Sequence, residues 1–230
     1  MSQTLFLTGA NRGIGLAVVR EALARGHRVF AGARRPRQAS QLQALAQTHP
    51  QQIILIPIDV ADDASIQAAA DAVAAHTDAL DVLINNAGVF PHGERLTNLH
   101  AETMLHTYRV NSIGPMMVVQ RFRPLLHAGS AILNITSQLG SITLHMSNHY
   151  SYNSSKAALN MLTRILASEL KPAGIAAVAV HPGWVQTDMG GPAAPLTPEA
   201  SARGILDLAQ RLTLADTGEF FTWEGKKHPW

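Results

Sequence analysis

Tyr152 and Lys156 lie four residues apart in the segment Tyr-Asn-Ser-Ser-Lys, and these two side-chain types together can move a proton. On a helix, residues at i and i+4 share one face, so the phenol and the ammonium would point into the same space. A phenol, with an ordinary pKa of about 10, shuttles protons poorly at neutral pH unless a nearby cation favours the phenolate. The spacing predicts a proton donor beside a fixed positive charge, although on its own it also fits an exposed helical pair.

A glycine-rich turn follows the first predicted strand and contains Gly9, Gly13 and Gly15. Such a turn lets the backbone approach a pyrophosphate and aims helix N-terminal amides at it. Three residues separate Gly9 from Gly13, which departs from the commoner dinucleotide fingerprint, and a purely structural turn also fits these glycines. Since no Gly-Lys-Ser/Thr follows, a P-loop is disfavoured. Together with Tyr152 and Lys156, the turn indicates reduction of a carbonyl by a nicotinamide cofactor.

The residues after the second predicted strand indicate which nicotinamide cofactor fits. An acidic residue there bonds a ribose 2′-hydroxyl, whereas arginine accommodates a 2′-phosphate. This strand ends at Ala33 and continues into Arg34 and Arg35, while Arg12 adds a guanidinium inside the glycine turn. The sequence therefore predicts NADP(H) rather than NAD(H). Simple solvation also fits Arg35 and Arg37, and for Arg37 we prefer it.

Composition excludes several classes of protein. A chain of 230 residues, 47% hydrophobic and 15% charged, suits one domain spanning 1–230. Its 18 basic residues nearly cancel 16 acidic ones, and no long basic run favours nucleic acid. The absence of cysteine excludes disulfides and thiolate chemistry. Only three apolar residues, Leu5 to Leu7, precede the glycine turn, so the sequence predicts neither a signal peptide nor a membrane anchor but a cytoplasmic protein.

Short apolar runs alternate with longer amphipathic stretches, a rhythm typical of strand-helix-strand units around a parallel sheet. Pro57 indicates that the third strand ends early or lies at an edge. The Gly/Pro-rich segment within 189–198 predicts a substrate lid. We predict strands at 4–8, 28–33, 53–58, 82–85, 131–136, 176–181 and 219–222, and helices at 13–26, 38–47, 63–76, 101–126, 152–170 and 198–212.

Ser137 and Asn111 are two further polar candidates. Ser137 follows the fifth predicted strand, at the sheet edge where open parallel folds bind ligands, so its hydroxyl can hold a substrate carbonyl oxygen. An isolated serine can equally well terminate a strand, and nucleophilic catalysis is disfavoured because no Gly-x-Ser-x-Gly surrounds it. Asn111 is predicted in the middle of a helix, where asparagine is usually exposed. Whether Asn111 is a functional residue therefore depends on which other motifs accompany it.

The order of these motifs along the chain resembles that of the short-chain dehydrogenase/reductase family, over nearly the full length. The ordered set is far more specific than any of its members. Within the family, segment 181–191, with Trp223-Glu224-Gly225 and Pro229-Trp230, resembles the carbonyl-reductase branch that includes sniffer and C-factor-like proteins. The matching motifs are Thr8-Gly9-x-x-x-Gly13-x-Gly15, Asn85-Asn86-Ala87-Gly88, Asn111, Ser137, Tyr152-x-x-x-Lys156 and Pro182-Gly183.

The resemblance implies an α/β fold: a single Rossmann-type, doubly wound sheet of seven mostly parallel strands with helices on both faces. It implies that Tyr152 is the general acid in reduction and that Lys156 bonds the nicotinamide ribose and lowers the Tyr152 pKa. Ser137 would orient the carbonyl, and Asn111 would hold a water that links Lys156 to solvent. The full predicted cofactor-binding set is Gly9, Asn11, Arg12, Gly13, Ile14, Gly15, Arg34, Arg35, Asp59, Val60, Asn86, Ala87, Gly88, Tyr152, Lys156, Pro182, Gly183, Val185 and Thr187.

Other residues near the predicted strand ends were weighed as pocket or metal residues. Phe90, Met146, Trp184 and Met189 fit an apolar substrate wall or ordinary core packing, and Tyr150 fits pocket lining. His145 and His149 have a spacing that suits a metal, but no glutamate completes a zincin motif, so we predict no metal. The long interval from Ser137 to Tyr152 predicts an extra loop through His145 and Met146.

The combined prediction is an NADP(H)-dependent oxidoreductase acting on the carbonyl or alcohol of a small or medium aldehyde or ketone. The alternative is an NADP(H)-binding sensor or signalling protein with weak turnover. The predicted partner is a small-molecule substrate, with neither nucleic acid nor membrane, and the sequence leaves open whether the chain is a monomer or forms a homo-oligomer with a second copy of itself. The run Met116 to Val119 fits burial against the sheet or against such a copy. A pure binding module would need none of the four polar groups on Asn111, Ser137, Tyr152 and Lys156.

Overall fold

A computed structural model describes residues 2–144 and 148–230. Its seven strands are β1 (Thr4–Thr8), β2 (Arg28–Ala33), β3 (Ile53–Pro57), β4 (Leu80–Asn85), β5 (Leu126–Ile135), β6 (Ala176–His181) and β7 (Phe220–Thr222). They form one sheet in the order β3-β2-β1-β4-β5-β6-β7, and every neighbouring pair is parallel. The chain therefore winds outward from β1 in both directions, which creates a crevice at the carboxyl ends of β1 and β4.

Seven α-helices cover the two faces of the sheet. They are α1 (Gly13–Ala24), α2 (Ser40–Thr48), α3 (Asp63–Ala74), α4 (Ala101–Tyr108), α5 (Gly114–Phe122), α6 (Tyr150–Leu170) and α7 (Pro198–Arg211). Strand side chains alternate between two cores. Leu5 and Leu7 join the core that contains α1, α2 and α7, whereas Phe6 joins the core that contains α3, α5 and α6. The predicted doubly wound α/β fold is confirmed.

Pro57 ends β3, which is an edge strand, as the sequence predicts. Proline is tolerated at this position because an edge strand has one side without a ladder partner. The amide of the next residue, Ile58, still bonds to the Ala33 carbonyl at 2.9 Å. The other edge is β7, also as predicted, so the five central strands are β2, β1, β4, β5 and β6.

The prediction of one helix over 101–126 is wrong. The chain instead passes from α4 through a π-helical turn at Arg109–Ile113 into α5, and it enters β5 at Leu126. Pro115 explains the break because it lacks the N–H that an α-helix would use to bond Asn111, four residues earlier. A Cβ on Gly114 would lie 2.5 Å from the Val60 carbonyl oxygen, so this point of the chain also packs directly on the segment after β3.

Other element boundaries differ from the prediction by a few residues. β5 starts five residues earlier than predicted, because Leu126 pairs with Leu80 ahead of a register shift. Helix α6 starts at Tyr150 rather than at Tyr152. Within residues 2–144 and 148–230, no helix is both long and apolar enough to cross a membrane.

Candidate active site

A cleft of about 340 Å³ opens at the carboxyl ends of the central strands. It brings together residues that are far apart in the sequence, because the carboxyl ends of parallel strands share one edge of the sheet. Ser137 and Tyr152 line it beside members of the predicted cofactor-binding set, namely Ile14, Pro182, Gly183, Val185 and Thr187. The predicted proton donor and the predicted cofactor residues therefore face the same space.

The glycine turn lies at one end of this cleft. The segment after β4 packs against it and fixes it by hydrogen bonds. The Asn86 side-chain amide donates to the carbonyls of Thr8 (3.0 Å) and Gly9 (3.2 Å). In return, Thr8 Oγ1 accepts hydrogen bonds from the amides of Asn86 (3.0 Å) and Ala87 (3.1 Å). A Cβ on Gly15 would lie 2.2 Å from the Gly9 oxygen. The turn therefore needs glycine at position 15, and Asn86 fixes its shape.

Asn111 is fully buried in the π-helical turn, so the expectation of an exposed mid-helix asparagine is wrong. Its Oδ1 accepts from the Val89 amide at 2.9 Å, and its Nδ2 donates to the Val89 carbonyl at 2.9 Å. The Nδ2 group also donates to Ser155 Oγ at 3.0 Å. Asn111 thus ties the loop after β4 to helix α6. Sequence reasoning missed Val89 and Ser155 because one acts through its backbone and the other is an ordinary serine on a helix.

Lys156 is 4% exposed, and its Nζ donates to the Ile135 carbonyl at 2.8 Å. Burial lowers the pKa of Lys156 to about 8, because the ammonium is separated from water. A Cβ on Gly88 would lie 3.4 Å from Asn111 Oδ1 and 3.7 Å from Lys156 Nζ. The side chains of Asn111 and Lys156 both approach Gly88. Because glycine has no side chain, this position leaves space beside both polar groups.

The Tyr152 ring is buried beside Lys156, whose Nζ lies 5.7 Å from the ring centroid. Burial raises the pKa of Tyr152 to about 12, and hydrogen bonding with Ser137 opposes this shift by a smaller amount. The resemblance implies that Lys156 lowers this pKa, which stays a prediction, and burial acts in the opposite direction. The physical reason is that withdrawal of the phenolate from water outweighs the favourable interactions.

Ser137 lies just past the end of β5 and is 8% exposed. Its Oγ accepts a hydrogen bond from the Leu139 amide at 3.1 Å and so caps a short 3-10 turn at Gln138–Gly140. The Ser137 hydroxyl therefore caps the turn that follows the strand, as the first interpretation predicts. The same oxygen remains available for the predicted hydrogen bond to a substrate carbonyl. Capping fixes the position of the oxygen beside Tyr152.

Phe90, Trp184 and Met189 line the cleft as an apolar wall. The Phe90 ring meets the Tyr152 ring edge-on, with centroids 4.6 Å apart and an interplanar angle of 64°. Trp184 is 54% exposed, and its indole nitrogen donates to the Gly190 carbonyl at 2.8 Å, so it is not a core residue. Tyr150 is 42% exposed and does not line the cleft, which makes its predicted pocket role wrong.

The remaining predicted cofactor residues lie around the glycine turn and the ends of β2 and β3. Arg34 and Arg35 are exposed just after β2, and Asn11 is exposed in the turn itself. Val60 is buried, and the Asp59 carboxylate accepts from the Ala61 amide at 2.9 Å.

Arg12 forms an ion pair of 2.8 Å with Asp188, a residue that sequence reasoning missed. The exposed arginine of the glycine turn thus already has an anionic partner, on the segment that follows β6.

His145 and Met146 lie outside the described residues, as does the centre of the predicted extra loop. His149, the other half of the predicted metal-spacing pair, lines the cleft, and its ring lies 4.6 Å from that of Phe90. In the part of the chain that the structure describes, no three His, Asp or Glu side chains are arranged to hold a metal ion.

The chain is similar to known proteins in sequence and in fold. A family model described as short chain dehydrogenase matches residues 3–195. The NADPH-bound carbonyl reductase from chicken fatty liver is 39% identical with a TM-score of 0.93, and the match covers 100% of this chain and 99% of that one. Carbonyl reductase Sniffer of D. melanogaster is 32% identical with a TM-score of 0.94 over 100% of both chains. The C-signal protein of Myxococcus xanthus is 40% identical over 157 residues, which are 67% of this chain and 95% of that protein.

Proposed function

The chain belongs to the short-chain dehydrogenase family, and from this premise we propose that it reduces small or medium aldehydes and ketones with NADPH. The observation that carries the proposal is the buried Tyr152 phenol, which lines the cleft together with Ser137 and stands beside Lys156. A proton donor and a hydrogen-bonding hydroxyl at one point of an apolar cleft suit a carbonyl oxygen that must accept a proton.

The residues of the glycine turn fit a dinucleotide. Gly9 has a φ of 69° and Gly13 a φ of 51°, conformations that glycine adopts at little cost. Side chains at positions 9 and 15 would collide with Ala87, Asn86 and the Gly9 oxygen, so glycine is needed there for the turn to keep the shape proposed to bind a pyrophosphate. When bound, the nicotinamide supplies the hydride. The groups proposed to hold the cofactor are the turn, the segment Asn86–Gly88, Asp59, Val60, Lys156 and the segment from Pro182 to Thr187.

Tyr152 and Ser137 would act on the carbonyl oxygen. A phenol with a pKa of about 12 is fully protonated near neutral pH, so it is ready to donate. Lys156, with a pKa of about 8, keeps its proton at pH 7 and provides the adjacent positive charge. As the oxygen takes the Tyr152 proton, that charge stabilises the phenolate left behind. Ser137 donates a hydrogen bond to the same oxygen, and Asn111 with Lys156 would return a proton from solvent through water.

Arg34, Arg35 and Arg12 support a preference for NADPH over NADH. The first two are exposed at the end of β2, which is next to β1 and its glycine turn. Guanidinium groups there suit the dianionic 2′-phosphate, and no acidic residue follows β2 to bond a free ribose hydroxyl. Titration of the purified protein with each cofactor tests the preference, and NADH affinity equal to or better than that of NADPH contradicts it.

The cleft wall supports an uncharged substrate. Its described lining includes Phe90, Trp184 and Met189 and contains no lysine, arginine, aspartate or glutamate. Such a wall offers apolar contact, and besides Tyr152 the only ionisable side chains in its described lining are His149 and His181, so it suits an uncharged substrate better than a carboxylate or an ammonium. We propose the segment 189–198 as a lid over this cleft. It is joined to the strand-following segment by a backbone hydrogen bond, in which the Gln186 amide donates to the Leu196 carbonyl at 2.8 Å.

The test is NADPH consumption by the purified protein against aldehydes, ketones and quinones, with Tyr152→Phe in parallel. We expect turnover to fall by at least about 10²-fold in the variant, because the proton donor is lost. NADPH affinity should fall by no more than about threefold, since the aromatic ring and its packing are retained and the phenolic oxygen is only one of many predicted cofactor contacts. Equal turnover by both proteins contradicts the proposed role of Tyr152.

The similarity to C-signal favours a second candidate function. We propose, as the rival, an NADP(H)-binding signalling protein whose carbonyl turnover is incidental. The two functions separate in Tyr152→Phe, because catalysis needs the phenolic oxygen, whereas cofactor binding has many other predicted contacts. A biological effect that persists in this variant supports the rival, and one that disappears together with turnover supports the enzyme.

A further inference from the structure

Helix α6, which carries Tyr152, begins at an N-cap residue whose own side chain does not cap it. Its N-cap residue, His149, has left-handed backbone angles (φ 57°, ψ 52°) and makes no capping hydrogen bond with its side chain. The preceding residue, Asn148, also has a positive φ of 69°. The first amides of a helix have no partners within the helix, and side chains such as Ser, Thr, Asp or Asn normally bond them. This helix must find its partner elsewhere.

Glu94, in the loop between β4 and α4, supplies that partner. Its Oε2 accepts from the Ser151 amide at 2.9 Å, and its Oε1 accepts from the Ser151 hydroxyl. Glu94 is 7% exposed and Ser151 is fully buried. Among residues 2–144 and 148–230, no Lys, Arg or His pairs with this carboxylate. Within the part of the chain that the structure describes, the charge is compensated by the two Ser151 donors and the positive end of the helix dipole.

The same loop also contacts Tyr152 itself. Phe90, four residues before Glu94, packs edge-on against the Tyr152 ring at 4.6 Å. One loop thus holds two consecutive residues of α6, Ser151 through its polar groups and Tyr152 through its ring. The loop is braced in turn by Asn98, whose Nδ2 donates to the Gly93 carbonyl at 3.1 Å and whose Oδ1 accepts from the Arg95 amide at 2.6 Å.

We propose that Glu94 is a positioning residue for Tyr152, acting through Ser151 as a cap supplied from outside the helix. The inference rests on the proposed function, in which Tyr152 donates the proton. Lys156, one turn further along, has its own anchor at the Ile135 carbonyl, and Ser155 is held by Asn111. Loss of Glu94 should therefore disturb the phenol and leave the cofactor side of the helix in place.

The test compares Glu94→Ala, Glu94→Gln and Ser151→Ala with the wild-type protein. Glu94→Ala should lower kcat by about tenfold or more, because a small displacement of the proton donor is costly, while the NADPH Kd stays within about twofold. Glu94→Gln keeps one acceptor and should recover part of kcat. Ser151→Ala keeps the amide bond and should lose about threefold. Glu169→Gln, an exposed carboxylate near the far end of α6, is the matched control and should behave as wild type.

Hydrogen exchange gives a readout that does not depend on turnover. The amides of the first turn of α6 should exchange about tenfold faster in Glu94→Ala, since their cap is gone, whereas those near Lys156 should not change. Unchanged exchange overturns the proposal, as does faster exchange with wild-type kcat. An equal loss of kcat and NADPH affinity also overturns it, because the damage would then be general. If wild-type protein reduces no carbonyl, the proposed function fails, and the exchange experiment still decides whether Glu94 holds the Tyr152 turn.

Discussion

Arg12 and Asp188 form an ion pair of 2.8 Å that joins the glycine turn to the segment after β6. The two residues are 176 positions apart, and both side chains are largely exposed, at 68% and 79%. They meet because β1 and β6 end at the same edge of the sheet. The arginine that we propose for the 2′-phosphate is therefore already engaged, and NADPH would have to compete with Asp188 for it.

Asp188→Asn should tighten NADPH binding by about two- to fivefold, the range of an exposed ion pair, because Arg12 is then free for the 2′-phosphate. NADH, which lacks that phosphate, should bind as it does to the wild-type protein. Fluorescence titration with both cofactors measures the difference. Glu224→Gln, which breaks an exposed ion pair with Lys226, is the control. If both cofactors bind more weakly to Asp188→Asn, the pair closes the cleft instead of competing for Arg12.

Elements set by local sequence could be predicted, and the predictions failed where distant contacts decide. The alternation of apolar runs gives all seven strands, and Pro57 gives the edge position of β3. The π-helical turn was missed although Pro115 signals it, because the apolar pattern continues across the break. Chain geometry at this point depends on Gly114 meeting Val60, and no local pattern encodes that contact.

The candidate site divides in the same way. Glycine spacing and the Tyr152–Lys156 interval are local, so they mark their positions in the sequence. No local sequence pattern indicates the role of Glu94, since its partner Ser151 is 57 residues away. The direction of the Tyr152 pKa shift was also out of reach, because it depends on how deeply the fold buries the phenol.

Gly15→Ala should destabilise the protein by about 2 kcal/mol or more and abolish cofactor binding. Alanine is ordinarily better than glycine in a helix, so the sign depends on the clash. The new Cβ would lie 2.2 Å from the Gly9 oxygen and 2.6 Å from Asn86 Nδ2. Urea unfolding and NADPH titration provide the measurements. Gly26→Asn is the control, because nothing lies within 4 Å there and asparagine tolerates its φ of 77°. A stable, NADPH-binding Gly15→Ala protein would contradict this account of the turn.

Asn111→Leu should lower the free energy of unfolding by about 2–4 kcal/mol, because it leaves its hydrogen-bond partners, which are buried or partly buried, without a hydrogen bond. The variant removes both bonds to the Val89 backbone and the bond to Ser155 Oγ. Ser155→Ala keeps both Val89 bonds, breaks the bond from Asn111 and the bond from Ser155 Oγ to the Tyr152 carbonyl, and should cost about 1–2 kcal/mol. Urea denaturation of the two variants measures the gap. Equal losses would mean that the Val89 bonds contribute little.

Lys156 should make stability depend on pH in the cofactor-free protein. Burial lowers its pKa from 10.5 to about 8, so between these values the unfolded chain binds a proton that the folded protein lacks. Stability then rises with pH in this window, by at most about 1.4 kcal/mol per pH unit, and the gain is lost as pH falls through 8. Tyr152 acts in the opposite direction, but only above its unfolded pKa of 10.0.

Lys156→Met should remove this dependence, because methionine has no proton to bind. Compared with the variant, the wild-type protein should gain stability steadily from pH 8 to pH 10, and the difference between them should be flat below pH 7.5. Denaturant unfolding at half-unit pH steps measures both curves. Lys171→Met removes an exposed lysine and should leave the wild-type pH profile unchanged. Parallel curves for the wild-type protein and Lys156→Met would mean that the ammonium is better solvated than its 4% exposure indicates.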